Sequence, residues 1–327
     1  MRSHLARATG PALGVLCADF DGDRWPDIFL ADDGRPNRLF MNQQDGTFRE
    51  EAAARGIAHD VLGGTAGNMG VAVGDVDRNG LFDIFITHLD TEQHTLWAQA
   101  PRGIFLDRTA AHGLAAASRR GTGFGSVLAD FDLDGVLDLA LVNGRVLRGA
   151  ETGPFVPGLR NDFQPYAQRP QLLAGDEHGR FREISAANAP FCGNAGVGRG
   201  LAMADLDEDG DLDLVVTHGG GPAQLFRNVA PRRGHWLIVR VVDPARGGRD
   251  SIGAEIVVEA GGRKHWRLVQ PSSSYLVSHD PRAYFGLGSA AAVAAIHVSW
   301  PDGSEETFPG GGADRRLTLE KGRGATR

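Results

Sequence analysis

Four nonapeptides of one design recur along the chain. They are "DFDGDRWPD" at 19–27, "DVDRNGLFD" at 75–83, "DFDLDGVLD" at 130–138 and "DLDEDGDLD" at 205–213. Each reads Asp-x-Asp-x-Asp/Asn-x-x-x-Asp, and a glycine stands five residues before each first aspartate, at Gly14, Gly70, Gly125 and Gly200. Their starts are 56, 55 and 75 residues apart. Self-similarity at such a period signals supersecondary units that bury their cores only by stacking on one another. Carboxylates at this density also repel each other unless a cation sits among them. The repeat therefore constrains both fold and chemistry.

Short apolar runs surround each acidic loop. In the first unit "LGVLCA" precedes it, and "DIFLAD", "NRLFMN" and "GTFREEA" follow, the last opened by the turn pair Asp45-Gly46. The second unit gives "VAVG", "DIFITH", "HTLWAQ" and "GIFLDRT"; the third gives "SVLA", "DLALVN", "PQLLAG" and "GRFREIS". Four strands per unit predict one antiparallel blade, with blades stacked around an axis. "REEAAARG" and "RTAAHGLAAASRR" are rich in alanine, but neither sustains a helical period long enough to stand alone, so both read as inter-blade connections. The Pro/Gly-rich insertion at 151–170 reads as a surface excursion.

Alternate residues of a tight loop can deliver six to eight oxygens to Ca²⁺. The expected ligand sets are Asp19, Asp21, Asp23 and Asp27; Asp75, Asp77, Asn79 and Asp83; Asp130, Asp132, Asp134 and Asp138; and Asp205, Asp207, Asp209 and Asp213. Up to four Ca²⁺ ions are expected. An EF-hand needs an acid at loop position twelve, where this chain has Leu30, Ile86, Leu141 and Val216. Mg²⁺ suits the loops less, since it holds to octahedral geometry and retained water. The formal charge is −7, from 41 acids and 34 bases, and four divalent ions would bring it to about +1. The acidity thus points to metal. No Lys/Arg stripe suggests nucleic acid, and no apolar run reaches the roughly 18 residues of a membrane span. The N-terminal stretch lacks the apolar core of a signal peptide. Cys17 and Cys192 could pair, but two isolated cysteines are more often separate thiols.

From about residue 235 the repeat gives way to "WLIVRVV", "AEIVVEA", "KHWRLVQ" and "AAIHVSW", an all-β module. The upstream glycine, the acidic loop and the "NRLFMN…GTF" strand pair resemble the FG-GAP-like (VCBS-type) β-propeller repeats, related to the integrin α-subunit propeller. "RDSIGAEI", "SSSYLVS", "YFGLG" and "VSWPDGSEE" resemble, in order, the ASPIC/UnbV domain. The combination resembles the cartilage acidic protein-like family over nearly all of residues 13–320. It implies an all-β chain: β-propeller blades in four recognisable repeats (near 13–56, 69–112, 124–188 and 199–230, within 1–230), then a small β-sandwich-like domain at 231–327. It also implies an extracellular, periplasmic or cell-surface location, and an adhesion or ligand-binding role toward a protein or glycan. Family members are usually longer, and the fourth unit lacks its last strand. That leaves a ring of four blades or an N-terminally shortened member as the expectations. Unit one departs from the pattern at Arg24, where glycine is expected, and unit two at Asn79. Calcium is therefore expected to favour loops three and four.

No G-x-S-x-G, H-E-x-x-H or phosphate-cradling loop appears, and no paired acids stand out beyond the loops. This favours a non-catalytic binder. The alternative is a carbohydrate-binding or carbohydrate-active propeller with a site on the ring rim. Asp32, His88, Asn143 and His218, each five residues after a closing aspartate, could line that rim, or simply end their strands and bond locally. Trp236, Trp266, Tyr275 and Trp300 are the aromatic candidates for sugar contact, with core packing as the competing role.

Overall fold

A computed structural model of the chain describes residues 9–117, 121–148, 155–231 and 233–326. The first eight residues and parts of the 108–120 and 151–170 segments lie outside them. The first sheet runs β1 (Ala12–Ala18), β2 (Asp27–Asp32), β3 (Arg38–Asn42), β4 (Phe48–Glu50) in chain order. The second runs β5 (Val71–Gly74), β6 (Asp83–Ile86), β7 (Thr95–Gln99), β8 (Phe105–Asp107). The third runs β9 (Gly123–Ala129), β10 (Asp138–Asn143), β11 (Gln171–Gly175), β12 (Phe181–Glu183). The fourth has three strands, β13 (Gly198–Ala204), β14 (Asp213–His218) and β15 (Gln224–Phe226). All four are antiparallel, propeller-like blades, and each acidic loop joins the first strand of a blade to its second.

Strand alternation dictates how the blades stack, because successive side chains face opposite sides of a sheet. Leu16, Ala18, Phe29, Ala31, Leu39 and Met41 of blade one pack on Val71, Ile84, Ile86 and Trp97 of blade two. The opposite face of blade two, with Ala72, Phe85 and Leu96, packs on Leu128, Leu139, Leu141 and Leu173. Blade three then presents Val127, Ala140 and Val142 to Leu201, Leu214 and Val216. The two end faces stay open, with Leu13 38%, Val15 46% and Leu225 63% exposed. Among the described residues, no comparable packing leads from β13 back to β1. The blades form an open arc rather than a ring closed by four.

The four upstream glycines let first strands approach one another. A Cβ on Gly14 would lie 2.6 Å from Val71 Cγ2, one on Gly70 1.9 Å from the Phe124 carbonyl oxygen, and one on Gly125 2.5 Å from the Leu201 nitrogen. On Gly200 it would meet Val277 Cγ1 at 2.5 Å. Beside blade four, the C-terminal module thus stands where a further first strand would.

That module is a two-sheet sandwich. One sheet holds β16 (His235–Asp243), β17 (Arg249–Asp250), β20 (Ala283–Gly288) and β23 (Arg315–Glu320), the last parallel to β16. The other runs β19 (Arg263–Leu268), β18 (Glu255–Ala260), β21 (Ala292–Ser299), β22 (Glu305–Gly312), β24 (Ala325–Thr326). Leu237, Val239, Ile256, Val258, Ile296 and Val298 fill the space between them.

Residues 270–279 of the module touch the first strand of every blade. Gln270 Nε2 donates to the Cys17 carbonyl (3.0 Å), and Val71 N–H donates to the Ser274 carbonyl (3.1 Å). Ser126 N–H donates to Ser274 Oγ (3.0 Å), and Met203 N–H to His279 Nδ1 (3.2 Å). Trp266 enters the core shared by blades one and two, stacked on Phe82 with centroids 5.7 Å apart. Removing it empties an aromatic volume in a core that spans both parts of the chain. Trp266→Ala is therefore expected to cost about 3–5 kcal/mol. Chemical denaturation should show blades and module losing structure together; two separate transitions would contradict this.

The insertion is no loose excursion: residues 161–166 form a 3₁₀ turn, Arg160 N–H donates to the Gly220 carbonyl, and Phe163 lies against Gly219 and Gly220 of blade four. Residues 151–154 of it are outside the described set. Cys17 and Cys192 are both free thiols, the first exposed and the second buried.

Candidate metal centres

Each loop brings three carboxylates together, with one oxygen of each within 4.8 Å of the others. The triads are Asp19, Asp21 and Asp27; Asp75, Asp77 and Asp83; Asp130, Asp132 and Asp138; and Asp205, Asp207 and Asp209. Three expected carboxylate ligands, Asp23, Asp134 and Asp213, fall outside the triads. Asp23 accepts from Trp25 N–H and Gln44 Nε2, and Asn79 donates to Asp77 and to the Gln99 carbonyl. Asp134 accepts from Val136 N–H and faces Arg233, and Asp213 is held by two backbone amides.

The loops share one scaffold. The first aspartate accepts from amides farther along its loop: Gly22 and Arg24 to Asp19 (2.7 and 2.9 Å), Gly80 to Asp75 (3.1 Å), Asp134 and Gly135 to Asp130 (3.1 and 2.8 Å), Asp209 and Gly210 to Asp205 (3.0 and 3.1 Å). The closing aspartate joins its loop to the chain at the end of the third strand. Asp27 accepts from Phe20 (2.9 Å) and Asn42 (2.8 Å), and Asp83 from Val76 (2.8 Å) and Gln99 (3.1 Å). Asp138 accepts from Phe131 (3.2 Å) and Gly175 (3.0 Å), and Asp213 from Leu206 (3.1 Å) and Asn228 (2.8 Å). These bonds carry architecture whatever else the carboxylates hold.

Burial raises the proton affinity of these groups, since a charge in a poorly solvated site is disfavoured. It pushes Asp83 and Asp130 up to about 8, Asp27 and Asp138 to about 7 and Asp75 to about 6, with neighbouring aspartates adding to the rise against the pull of backbone amides. Asp19, Asp132 and Asp205 are raised as well, again chiefly by burial. Buried oxygens Asp21 Oδ1, Asp75 Oδ1 and Asp132 Oδ1 have no hydrogen-bond partner.

Arginines that the sequence pattern did not flag ring the loops. Arg55 Nη2 lies 2.9 Å from Asp21, Arg233 Nε 3.1 Å from Asp132, and Arg227 Nε 2.5 Å from Asp207. Arg102 Nη2 bonds the Asp19 carbonyl (2.9 Å) and Glu255 (2.7 Å). They come from different connections, so no spacing in the chain could have marked them.

Arg24 is left-handed (φ 73°), as its place in the pattern requires, but it does not single out loop one. Every loop has two left-handed positions. Loop one has Gly22 and Arg24; the others have Arg78 and Gly80, Leu133 and Gly135, Glu208 and Gly210. Each loop thus carries one glycine and one strained residue, at a cost of about 1–2 kcal/mol. Arg24 also points away from its triad, donating to the Gly303 carbonyl (2.9 Å) and pairing with Glu305 (3.3 Å). Backbone strain gives no reason to rank loop one last.

The rim residues are committed to their own blades. Asp32 pairs with Arg38 (2.5 Å), His88 Nε2 lies 3.0 Å from Thr95 Oγ1, Asn143 donates to Gln171 (3.0 Å), and His218 Nε2 lies 2.9 Å from Gln224 Oε1. Each ties the end of a second strand to the third. The aromatic candidates are largely core: Trp236, Trp266 and Trp300 are buried, and half-buried Tyr275 meets Phe124 edge-on at 4.8 Å. None forms an open stacking platform.

Two family models match the chain: an FG-GAP-like repeat over residues 19–86, and ASPIC and UnbV over 244–326. Cartilage acidic protein 1 of Xenopus tropicalis is 31% identical over 285 residues, covering 85% of this chain and 40% of that protein. The Homo sapiens protein of the same name is also 31% identical over 285 residues, covering 85% and 39%. The chain thus spans about two fifths of the length of these relatives. Among solved structures, an Agrocybe aegerita lectin that recognises non-reducing terminal N-acetylglucosamine covers 91% of this chain and 79% of its own. It is 16% identical with a TM-score of 0.40, a likeness too loose to bear on function.

Proposed function

Since the chain carries an FG-GAP-like repeat and an ASPIC and UnbV domain and is a distant homologue of cartilage acidic protein 1, we propose that it is a non-catalytic calcium-binding module for adhesion or ligand binding. Its blade loops would hold up to four Ca²⁺ ions, one per triad. The observation that carries this reading is the set of orphaned oxygens on Asp21, Asp75 and Asp132. Each belongs to a triad of converging carboxylates, where leaving an anionic oxygen buried and unpaired is costly. A hard cation with oxygen ligands meets that need and would keep the raised carboxyls ionised. The ion would then fasten the loop between the first two strands, adding rigidity at the edge where the module meets the blades.

The partner would be a protein or a glycan. The working site would be extracellular, periplasmic or at the cell surface, because loops of moderate affinity fill at millimolar calcium and stay empty at cytosolic levels. Among the described residues, no helix is long and apolar enough to cross a membrane.

The test separates ligand from scaffold. Asp132 holds an orphaned oxygen and its nearest charged partner is the exposed Arg233, whereas Asp138 accepts two backbone amides. In isothermal titration with calcium, Asp132→Ala should remove one ion from the stoichiometry and barely change stability in EDTA. Asp138→Ala should remove the ion and also cost about 1–3 kcal/mol in EDTA, since buried amides lose their acceptor. A wild-type titration without calcium-dependent heat, together with coincident melts in calcium and EDTA, would refute the reading.

A further inference from the structure

The second and third loops share one arginine supplied by the other part of the chain. Arg267 lies on β19 of the C-terminal sandwich. Its Nε donates to the Tyr284 carbonyl (2.9 Å) and its Nη1 to the Trp266 carbonyl (2.8 Å), while its guanidinium carbon stands 5.4 Å from the centre of the Phe285 ring. It lines a cavity of about 60 Å³ with Ala72 and Val73 of β5 and with Val127, Leu128 and Ala129 of β9. Those two strands run directly into Asp75 and Asp130. The hydrogen bonds of the Arg267 guanidinium go to main-chain carbonyls, and neither Asp75 nor Asp130 pairs with it directly. Burial opposes its charge, and the carboxylates that favour it are Asp130 and Asp75. Gly286 on the neighbouring strand brings its backbone so close that a Cβ there would lie 1.8 Å from Asp130 Oδ2, so the sandwich and loop three are in tight register.

The geometry points to Arg267 as the residue that sets cation affinity at loops two and three together. This rests on the calcium reading above. A guanidinium locked in place by main-chain acceptors cannot swing away when a cation arrives. It stabilises the ion-free carboxylates of both loops and repels the ion that would replace it. One charge thus acts on two sites, and it comes from the module rather than the blades. Loops one and four lie beside other guanidiniums: Arg102 Nη2 stands 3.7 Å from Asp19, and Arg282 favours ionisation of Asp205.

The experiment compares the full chain with Arg267→Met, which keeps the aliphatic reach and loses the charge, and with Arg267→Lys, which keeps the charge. The probes are Ca²⁺ and Tb³⁺. Arg267→Met should tighten two of the calcium sites by about tenfold, the order expected when a unit charge facing a divalent ion is removed. The logarithm of that gain should be about half as large again for trivalent Tb³⁺. The same substitution should lower the melting temperature in EDTA, so affinity and metal-free stability move in opposite directions. Arg267→Lys should leave affinity within about twofold of wild type, and it carries the test if the methionine variant does not fold. In an Asp75→Ala/Asp130→Ala background, changing Arg267 should no longer affect affinity. Unchanged affinity in Arg267→Met, equal gains for Ca²⁺ and Tb³⁺, or a clear loss of affinity in Arg267→Lys would overturn the assignment while leaving the calcium reading intact. A wild type that binds neither ion would overturn both.

Discussion

Stripping divalent ions with EDTA should lower the melting temperature by about 8 °C at neutral pH. A ligand that binds only the folded state adds about 2.7 kcal/mol per site when present at a hundred times its dissociation constant. Two filled loops would therefore supply about 5 kcal/mol. With an unfolding entropy of about 2.1 cal/mol/K per residue, a chain of 327 residues shifts by about 1.5 °C per kilocalorie. The effect should be large because the loops hold more than themselves. The Leu133 carbonyl accepts from Gly288 N–H (3.1 Å), the Asp205 N–H donates to Tyr284 Oη (3.2 Å), and Arg24 reaches the Gly303 carbonyl (2.9 Å). Loosening a loop loosens its grip on the module. Calorimetric scans in EDTA and in millimolar calcium settle the point, and coincident traces would remove calcium from the account of stability.

What the sequence made legible is local. The four loops and the strands beside them could be read because a two-residue alternation and a nine-residue acidic pattern lie within one short window. "DIFLAD" and "DLALVN" became β2 and β10 as their patterns require, and the fourth blade ends after three strands as expected. The upstream glycines could be seen but not explained. Their reason lies in the next blade or the module, as with the Phe124 carbonyl oxygen 1.9 Å from where a Cβ of Gly70 would sit. The second left-handed position was hidden because three loops fill it with Arg78, Leu133 and Glu208, residues that carry no turn signal. The arginines around the triads and the crossing of residues 270–279 over four first strands were also out of reach. Gln270 and Cys17, or Arg24 and Gly303, meet across more than 250 residues of chain with no periodicity to announce them. Asp213, like Asp27, Asp83 and Asp138, accepts two backbone amides, a scaffold role of the closing aspartate that the ligand pattern did not announce.

Without calcium, stability is expected to fall as pH rises from about 6.5 to about 8. Asp83 and Asp130 titrate at about 8 in the folded chain, and Asp27 and Asp138 at about 7, against 3.8 for an ordinary aspartate. Between those limits the folded state holds protons that the unfolded state has released. Stability therefore declines with rising pH, by linkage, until the folded-state values are passed. Buried histidines act in the opposite sense but lower down. Burial depresses His88, His265 and His279 to about 4 and His94 to about 3, so their contribution grows up to the ordinary histidine value of 6.5 and is nearly complete by about 7.5. The upper part of the window, from about 7.5 to 8, thus isolates the aspartates, and below it they outweigh the histidines. Calcium should reverse the trend there, because binding expels the protons that burial retains and its apparent affinity grows as they become easier to remove. Urea midpoints at pH 6.5, 7.2 and 8.0 should descend in EDTA and hold level or climb in millimolar calcium. A midpoint that climbs with pH in EDTA would mean that the loop carboxylates are already ionised in the folded chain, held by their backbone amides and the surrounding arginines, with no proton for a cation to displace.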